Sequence, residues 1–300
     1  MKNETRMVGQ STVDSGKLIM PKTIDEQILE IAKQGSSVAS LVNIFTADTF
    51  TKFLVDLDNQ PAFIYAEGES ATTNDPTLAE ISLDQKRMAT AIEISRNALL
   101  YSAVPFEKQV LQILANRVLL GIEYQMFNMG NKDGTGKALQ GIFVYNNYAN
   151  RIEDIKTITG AGVGVLAYKD LLEAYVKFAE QPENLNGAVW VVEDISKISG
   201  LKDDAQRSIL TFDNLPAGAI GRVFGIPVYK TKAFNPVQKV GAVLINPKRA
   251  YAVSISKKHE VQKIEGDTIQ ELKGASVFLG EVYLDGKVVN PRAITIVKTA

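Results

Sequence analysis

Apolar and polar residues alternate in three runs between positions 49 and 95, at 53–58, 81–84 and 91–95. A period of two places successive side chains on opposite faces of a strand, so these runs predict strands with one buried face. A polar stretch at 67–76, rich in Gly, Ser, Thr and Asn, separates the first run from the second. We interpret 49–95 as a long hairpin-like excursion made of two ribbons.

Bulky apolar residues stand near the tip of this excursion. A two-stranded ribbon is only marginally stable in water, and exposed apolar patches mark contact sites. One interpretation is therefore that the tip of the ribbon contacts another subunit. A satellite sheet that packs on its own domain is an equally weighted alternative. The ribbon residues expected to make inter-subunit contacts are Phe63, Ile64, Tyr65, Glu67, Glu69 and Asp75.

Charge is distributed unevenly along the chain. Residues 50–90 hold seven acidic and three basic side chains, a sum of −4, whereas 247–300 hold nine basic and six acidic ones, a sum of +3. Regions of opposite sign favour contacts between copies of the chain. An ordinary solvated surface explains any single one of these charges equally well.

The first amphipathic helix is predicted near the N-terminus, after a polar arm at 1–20. It starts at Pro21, spaces Ile24, Ile28 and Ile31 along one face, and stops at Gly35. The short apolar stretch 36–45 that follows is predicted to be buried.

The strongest helix is predicted between Pro105 and Gly130, a length of ~35 Å that suits a structural spine. Glu123 is placed outside its apolar stripe, on the solvent side. The stripe consists of Phe106, Val110, Ile113, Leu114, Val118, Gly121, Ile122 and Tyr124.

After a Gly-rich loop at 130–141, the pattern becomes α/β-like and then strand-rich. In the last part, Asp285-Gly286 within an alternating run predicts a hairpin turn. The other predicted elements are helices at 167–180 and 194–201, and strands at 188–192, 223–228 and 241–245.

Composition limits the chemistry available to this chain of 300 residues. It contains no Cys and one His, which excludes disulfides and Cys-ligated metals and disfavours most catalytic arrangements. A net charge of −1 disfavours the coating of nucleic acid, because such binding depends on clustered basic charge. The sequence shows no signal-peptide core and no apolar run long enough to span a membrane. We predict no catalytic residue, no cofactor and no metal ligand.

Three weak chemical motifs have structural explanations that fit better. The glycines at 160–164 lack dinucleotide-loop spacing and favour a flexible connection between a strand and a helix. Residues 134–138 resemble a phosphate loop without its first Gly and its closing Ser or Thr. His259 fits a solvated strand edge, and Trp190 fits a core position better than a stacking platform.

Several short fragments carry a family resemblance when they are taken in order. They are 61–68 (PAFIYAEG), 92–100 (IEISRNALL), 127–130 with 136–142 (FNMG and GKALQGI), 224–228 (FGIPV), and 285–286 with 290–293 (DG and NPRA). Together with the order of the predicted elements, they resemble the major capsid proteins of tailed bacteriophages, which have the Hong Kong 97-like fold.

The resemblance implies an α+β fold with an N-terminal arm, an extended β-hairpin loop, a spine helix, a peripheral domain and an axial domain. The implied ranges are 1–30 for the arm and first helix, 31–48 for part of the peripheral domain, 49–95 for the extended loop, 96–157 for the peripheral domain with the spine helix, 158–236 for the axial domain, and 237–300 for the peripheral strands and C-terminus.

The resemblance also implies self-assembly through hexamers and pentamers into an icosahedral shell that encloses phage double-stranded DNA without sequence-specific binding. The implied location is the virion, after synthesis in the bacterial host cytoplasm, with a portal and accessory capsid proteins as further partners and no membrane. Many members begin with a charged scaffolding segment, but the arm here starts at Met1. Either a separate scaffold protein assists assembly or this chain is the mature portion. Gly274 falls where some members carry a cross-linking Asn, so no covalent cross-link is expected.

Two other functions stay open at the level of sequence. An encapsulin-type compartment would have the same fold around an enzyme cargo, and its neighbouring genes would distinguish it. A carboxylate-dependent α+β enzyme would be a compact monomer or dimer, which size exclusion distinguishes from megadalton particles.

Overall fold

The structure is a computed structural model that describes residues 38–46, 51–56, 78–97, 106–128, 138–145, 154–160, 162, 164–255, 260–264 and 268–300. Within these residues helices and strands are mixed and form two hydrophobic cores, which confirms the α+β expectation. Predictions that lie outside the described residues concern the arm and helix up to Gly35, the ribbon tip with Phe63, Ile64, Tyr65, Glu67, Glu69 and Asp75, the stretch 134–137, and His259.

The described strands are β1 (Asn43–Thr46), β2 (Thr51–Asp56), β3 (Leu78–Leu83), β4 (Lys86–Ser95), β5 (Lys156–Thr159), β6 (Val189–Val192), β7 (Leu210–Thr211), β8 (Gly221–Val223), β9 (Ile226–Lys230), β10 (Val240–Ile245), β11 (Tyr251–Ile255), β12 (Glu260–Ile264), β13 (Ala275–Val288) and β14 (Ile294–Lys298). The described α-helices are α1 (Phe106–Asn128), α2 (Tyr168–Ala179), α3 (Ser196–Ser199), α4 (Pro247–Ala250) and α5 (Thr268–Lys273). Single 3₁₀ turns lie at Val38–Leu41, Ile142–Val144, Pro182–Asn184, Pro236–Gln238 and Pro291–Ala293.

Seven strands form the largest sheet, in the order β5-β14-β10-β6-β9-β8-β7. The apolar runs of β6 and β10 are buried at every position because both faces of this sheet are covered. Successive side chains of β10 enter opposite cores, Val243 on the side of α1 and Leu244 on the side of α2. Trp190 of β6 is fully buried in the second core, as the sequence predicts.

The predicted spine is confirmed as α1, a helix of 23 residues. Its buried side packs into the first core, together with Val38 and Val42 from the stretch predicted to be buried ahead of β1. The residues of the predicted stripe that are buried are Val110, Leu114, Val118 and Ile122.

The prediction for the remaining sides of α1 is wrong at three positions. Glu123 is buried, although the sequence places it on the solvent side, because it has a hydrogen-bond partner in Thr231. Ile113 and Tyr124 belong to the predicted stripe but are exposed. The helix carries apolar residues on opposite sides, so its pattern alone does not identify the side that faces the core.

The 49–95 region contains one described ribbon. β2 and β3 pair antiparallel along their whole length, which confirms the strands predicted at 53–58 and 81–84. Ile81 and Leu83 of β3 are buried, so the root of the ribbon packs on its own chain. The run predicted at 91–95 does not form a second ribbon, because it belongs to β4, which pairs with β13 over ten residues. Met88 of β4 lies against Gly121 of α1.

β13 runs through 14 residues at the centre of a five-stranded sheet. It pairs with β4 along one edge and with β12 and then β11 along the other. The hairpin predicted at Asp285-Gly286 is therefore wrong, because both residues lie inside this strand. The Asp-Gly pair has a different role: Asp285 binds Lys86, and a Cβ at Gly286 would lie 2.8 Å from the Tyr251 ring.

The close approach at Gly286 gives a first prediction. Gly286→Ala is expected to lower the free energy of unfolding by about 1–3 kcal/mol, because the buried Tyr251 ring has no free space into which it can move. Gly200→Ala is the matched control, since a Cβ there meets nothing within 4 Å and should change stability little. Denaturant unfolding of both variants measures the difference, and equal midpoints would contradict the packing argument.

The strand predicted at 223–228 is in fact two strands, β8 and β9. Phe224 and Gly225 form the turn between them with φ of 52° and 78°. Positive φ at both central residues is typical of the tight turns that join antiparallel strands. The turn escapes sequence analysis because a phenylalanine occupies the place where Asn or Asp is usual.

The helices predicted at 167–180 and 194–201 are confirmed as α2 and the shorter α3.

The glycine stretch at 160–164 connects β5 to α2, as predicted, but Gly160 is held in place. Its N–H donates to the Lys298 carbonyl oxygen at 2.8 Å. A Cβ on Gly160 would lie 2.5 Å from a carboxylate oxygen of Asp170, which itself accepts the Ala167 N–H at 3.0 Å. Gly160 therefore serves close packing at the start of α2, and the predicted flexible connection is wrong at this position.

Candidate assembly surfaces

The six ribbon residues predicted to contact another subunit all lie outside the described part of the chain, so that assignment stays a prediction. They are Phe63, Ile64, Tyr65, Glu67, Glu69 and Asp75. The structure does describe the root of the β2–β3 ribbon that carries this segment, at the junction of β3 and β4. Buried ionic and polar groups build that root.

An ion pair between Lys86 and Asp285 fixes the junction of β3 and β4. The Lys86 Nζ lies 2.8 Å from Asp285 Oδ1 and donates to the Ala138 carbonyl oxygen at 2.9 Å. The other carboxylate oxygen accepts the Asp84 N–H at 2.9 Å. The side chain of Asp285 is fully buried and that of Lys86 is 12% exposed, so both charges depend on these partners. The pair therefore ties the root of the ribbon to β13.

A second polar group, Gln140, ties the segment after α1 to the same part of β13. Its N–H donates to the Gly286 carbonyl oxygen and its side-chain oxygen accepts the Val288 N–H, both at 3.0 Å. The Tyr251 hydroxyl donates to the Gln140 carbonyl oxygen at 2.9 Å. Two family-like fragments of the sequence, 136–142 and 285–286, are therefore in contact, which explains the residue types they carry.

The buried Tyr251 hydroxyl gives a pH-dependence prediction. Burial first, and then the charge of Asp285, raise the pKa of Tyr251 well above its usual value near 10. The unfolded chain releases this proton near pH 10 while the folded chain keeps it, so the stabilisation is complete below pH 10 and is lost above it.

The expected slope is a loss of about 1.4 kcal/mol per pH unit above pH 10 from this one group. Tyr251→Phe is expected to remove that contribution, although it also loses the hydrogen bond to Gln140. Denaturant unfolding at several pH values on either side of pH 10 measures it. Identical slopes for the two proteins would contradict the assignment.

A buried polar junction joins the C-terminal half of α1 to the segment between β9 and β10. The Thr231 hydroxyl donates to the Glu123 carboxylate and accepts the Ala233 N–H at 3.0 Å. Asn128 accepts the Asn235 N–H at 2.8 Å and donates to the Ala233 carbonyl oxygen. Sequence reasoning missed Glu123 and Asn128, because their partners lie more than 100 residues away along the chain.

Three aromatic rings pack beside this junction. Phe127, Phe143 and Phe234 have ring centroids 5.1–5.5 Å apart, two of the pairs with edge-to-face geometry. With the polar junction, this cluster fixes the end of α1 to the central sheet. The long helix and the sheet therefore form a stiff body from which the ribbon projects.

The side of α1 opposite the core carries an apolar stripe. Ile113, Leu120 and Tyr124 are 46%, 61% and 39% exposed and lie at spacings of seven and four residues, which places them on one line along the helix. No described residue of the chain covers them. A helix that is apolar on opposite sides is expected to be buried on both, so this stripe is a candidate contact surface.

Chemical sites are scarce in the part of the chain that the structure describes. No group of three or more His, Cys, Asp or Glu side chains is arranged to hold a metal ion within those ranges. Among the described helices, none combines the length and the apolar character that crossing a membrane requires. The features that stand out are surfaces and the junctions that position them.

Comparison with solved structures finds capsid proteins of similar fold. The chain is similar to the capsid protein of an empty GTA particle computed with C5 symmetry, with a TM-score of 0.69 and 14% identity over 100% of this chain and 95% of that one. For Microbacterium phage Oxtober96 the TM-score is 0.59 and the identity 12%, over 98% and 96% of the two chains. For Mycobacterium phage Adephagia they are 0.58 and 12%, over 89% and 91%.

These likenesses show the fold, which is Hong Kong 97-like as the sequence predicts. A search among curated proteins finds no match. The family model described as the phage capsid family matches residues 16–299, nearly the whole chain. Neither the family model nor the solved structures support the enzyme or the encapsulin-type alternative. Because the family match covers nearly the whole chain and the fold agrees with it, this chain belongs to the phage capsid family and is a capsid shell protein.

Proposed function

We propose that this chain is a major capsid protein that assembles through hexamers and pentamers into an icosahedral shell around phage double-stranded DNA. The observation that carries the proposal is the family match over residues 16–299. The exposed stripe of Ile113, Leu120 and Tyr124 on the spine helix supports it, because a protein that worked alone would leave this apolar surface in water.

The extended ribbon makes the contacts between subunits in this proposal. Its root is fixed by the Lys86–Asp285 pair, so each copy presents the ribbon at the same angle. Residues 50–90 carry a charge sum of −4 and residues 247–300 a sum of +3, which favours docking of the ribbon of one copy on the basic end of a neighbour. Phe63, Ile64 and Tyr65 supply the apolar part of that contact.

The shell encloses DNA without reading its sequence. A net charge of −1 leaves no large basic excess for gripping phosphates, and a container needs none. The mature location is the virion, after synthesis in the host cytoplasm, and a portal and accessory capsid proteins are further partners. Either a separate scaffold protein assists assembly or this chain is the mature portion. The chain performs no chemical reaction in this proposal, since its work is done by surfaces.

The mass of the assembled protein tests the proposal. The purified full-length chain is run on size exclusion with light scattering over a range of concentrations. Rings of five or six copies and megadalton particles are the expected species. A compact monomer or dimer at every concentration would contradict the proposal and would favour the enzyme alternative.

A further inference from the structure

One side of α2 and the residues just ahead of it form an uncovered apolar stripe. Val165, Leu172 and Val176 are 62%, 36% and 57% exposed. Leu171 and Phe178, on the other side of the helix, are fully buried against the sheet. Like α1, this helix is apolar on two sides, and the residues that the structure describes cover only one of them.

A second uncovered apolar feature is the loop that follows β7. Every residue from 211 to 218 is exposed, and the loop presents Phe212 at 64% and Leu215 at 37% exposure. The Arg222 guanidinium of β8 donates to the Asn214 carbonyl oxygen at 2.5 Å, which ties the loop to the sheet. An aromatic side chain on a preorganised protrusion is typical of an anchor that enters a partner surface.

The two features do not cover one another within one chain, because both remain exposed in it. The helix α2 packs mainly on β14 and β5, and its Tyr168 and Tyr175 rings pack on Phe224 of the turn between β8 and β9, whereas the loop follows β7 at the edge of the sheet. A contact between them therefore joins two copies through different surfaces. Such a head-to-tail contact generates a closed ring when its rotation closes.

Charge on the two surfaces is complementary. Lys169 is exposed on the same side of α2 as Leu172 and Val176, at spacings of three and seven residues. Asp213 is exposed between Phe212 and Leu215 of the loop. Neither charge forms an ion pair with any residue that the structure describes. One apolar contact flanked by one ion pair fixes the register of the two copies.

We infer that the 211–218 loop of one copy packs on the α2 stripe of the next copy in the same ring, with Phe212 against Leu172 and Val176 and Asp213 facing Lys169. This contact rests on the proposed self-assembly and names the surfaces that close the rings of five and six. The other uncovered surfaces, including the α1 stripe, are left for contacts between rings or with other proteins.

The absence of Cys from the chain allows a direct cross-linking test. The double variant Phe212→Cys with Val176→Cys is assembled and oxidised, then separated on a non-reducing denaturing gel. The expected result is a ladder that ends at five and six subunits and collapses to the monomer on reduction. Phe212→Cys alone has no partner thiol in this contact, so it and the unmodified chain are expected to give only the monomer band.

A control variant separates this contact from general surface collisions. Leu272 is 85% exposed on α5, so Phe212→Cys with Leu272→Cys should give no ladder. Assembled particles without a ladder in the Phe212→Cys, Val176→Cys variant would overturn the contact and leave the proposed function intact. An unmodified chain that never assembles would overturn both.

A charge exchange gives an independent readout that needs no oxidation. Asp213→Lys alone is expected to reduce the assembled fraction at least tenfold, because it places two lysines opposite one another. Adding Lys169→Asp to the same chain should restore assembly to within about twofold. Since both positions are exposed, the melting temperature should be unchanged in each variant. No loss in the single variant, or no rescue in the double one, would contradict the register.

Discussion

Replacement of Asp285 by alanine is expected to lower the free energy of unfolding by about 3–5 kcal/mol. The change leaves the Lys86 ammonium, 12% exposed, without its carboxylate and removes the acceptor of the Asp84 N–H. A buried charge that has lost its counter-ion costs far more than the net value of the pair itself. Denaturant unfolding of the purified protein measures the loss.

Two matched variants separate this effect from the general cost of losing an ion pair. Glu183→Ala breaks an exposed pair with Arg249 whose N–O distance is 3.0 Å, and it should cost at most about 1 kcal/mol. Adding Lys86→Met to Asp285→Ala removes the ammonium that has lost its counter-ion. The double variant should therefore recover much of the lost free energy of unfolding. If the double variant is no more stable than Asp285→Ala, the explanation by a stranded charge is wrong.

Removal of the ribbon tip is expected to abolish shell formation while the body stays folded. Residues 57–77 are replaced by Asn-Gly, which joins Asp56 to Leu78 where the two are already paired across β2 and β3. Because Ile81 and Leu83 are buried, the deletion must stop short of them. The melting temperature should change by less than about 4 °C, and no closed particles should form.

Two further variants sharpen the ribbon experiment. Serine at Phe63, Ile64 and Tyr65 together should reproduce the loss of particles if the apolar tip makes the contact. Val237→Ser is the control, since Val237 is 82% exposed elsewhere on the surface and its change should leave particle yield unaltered. Normal particles from the truncated chain would refute the role given to the ribbon.

Local patterns predicted the elements whose stability is local or whose burial is complete. The run at 188–192 predicts β6 because every side chain in it is apolar, and both faces of that strand are covered. The helices α1 and α2 follow from their periodicity and their length. The family-like fragments predicted the fold because some of them are in contact in the folded chain, as Gln140 and Gly286 are.

Residues that act over long sequence separations escaped prediction. Asp285-Gly286 has the composition of a turn, but both residues lie inside a strand. There Asp285 binds Lys86 and Gly286 packs against Tyr251, two partners that lie far away in the sequence. Glu123 is buried with a hydrogen-bond partner, Thr231, that lies 108 residues later in the chain. The exposed apolar sides of α1 and α2 show a second limit of sequence analysis. A periodic pattern predicts that a helix face is apolar, but it does not predict whether the same chain or another copy covers that face.

Cryo-electron microscopy of particles purified from cells that express the full-length chain tests the central claim most directly. The account predicts closed icosahedral shells built from rings of five and six copies, with the ribbon of each copy lying on a neighbour. A preparation that contains the folded chain only as discrete monomers or dimers would contradict it.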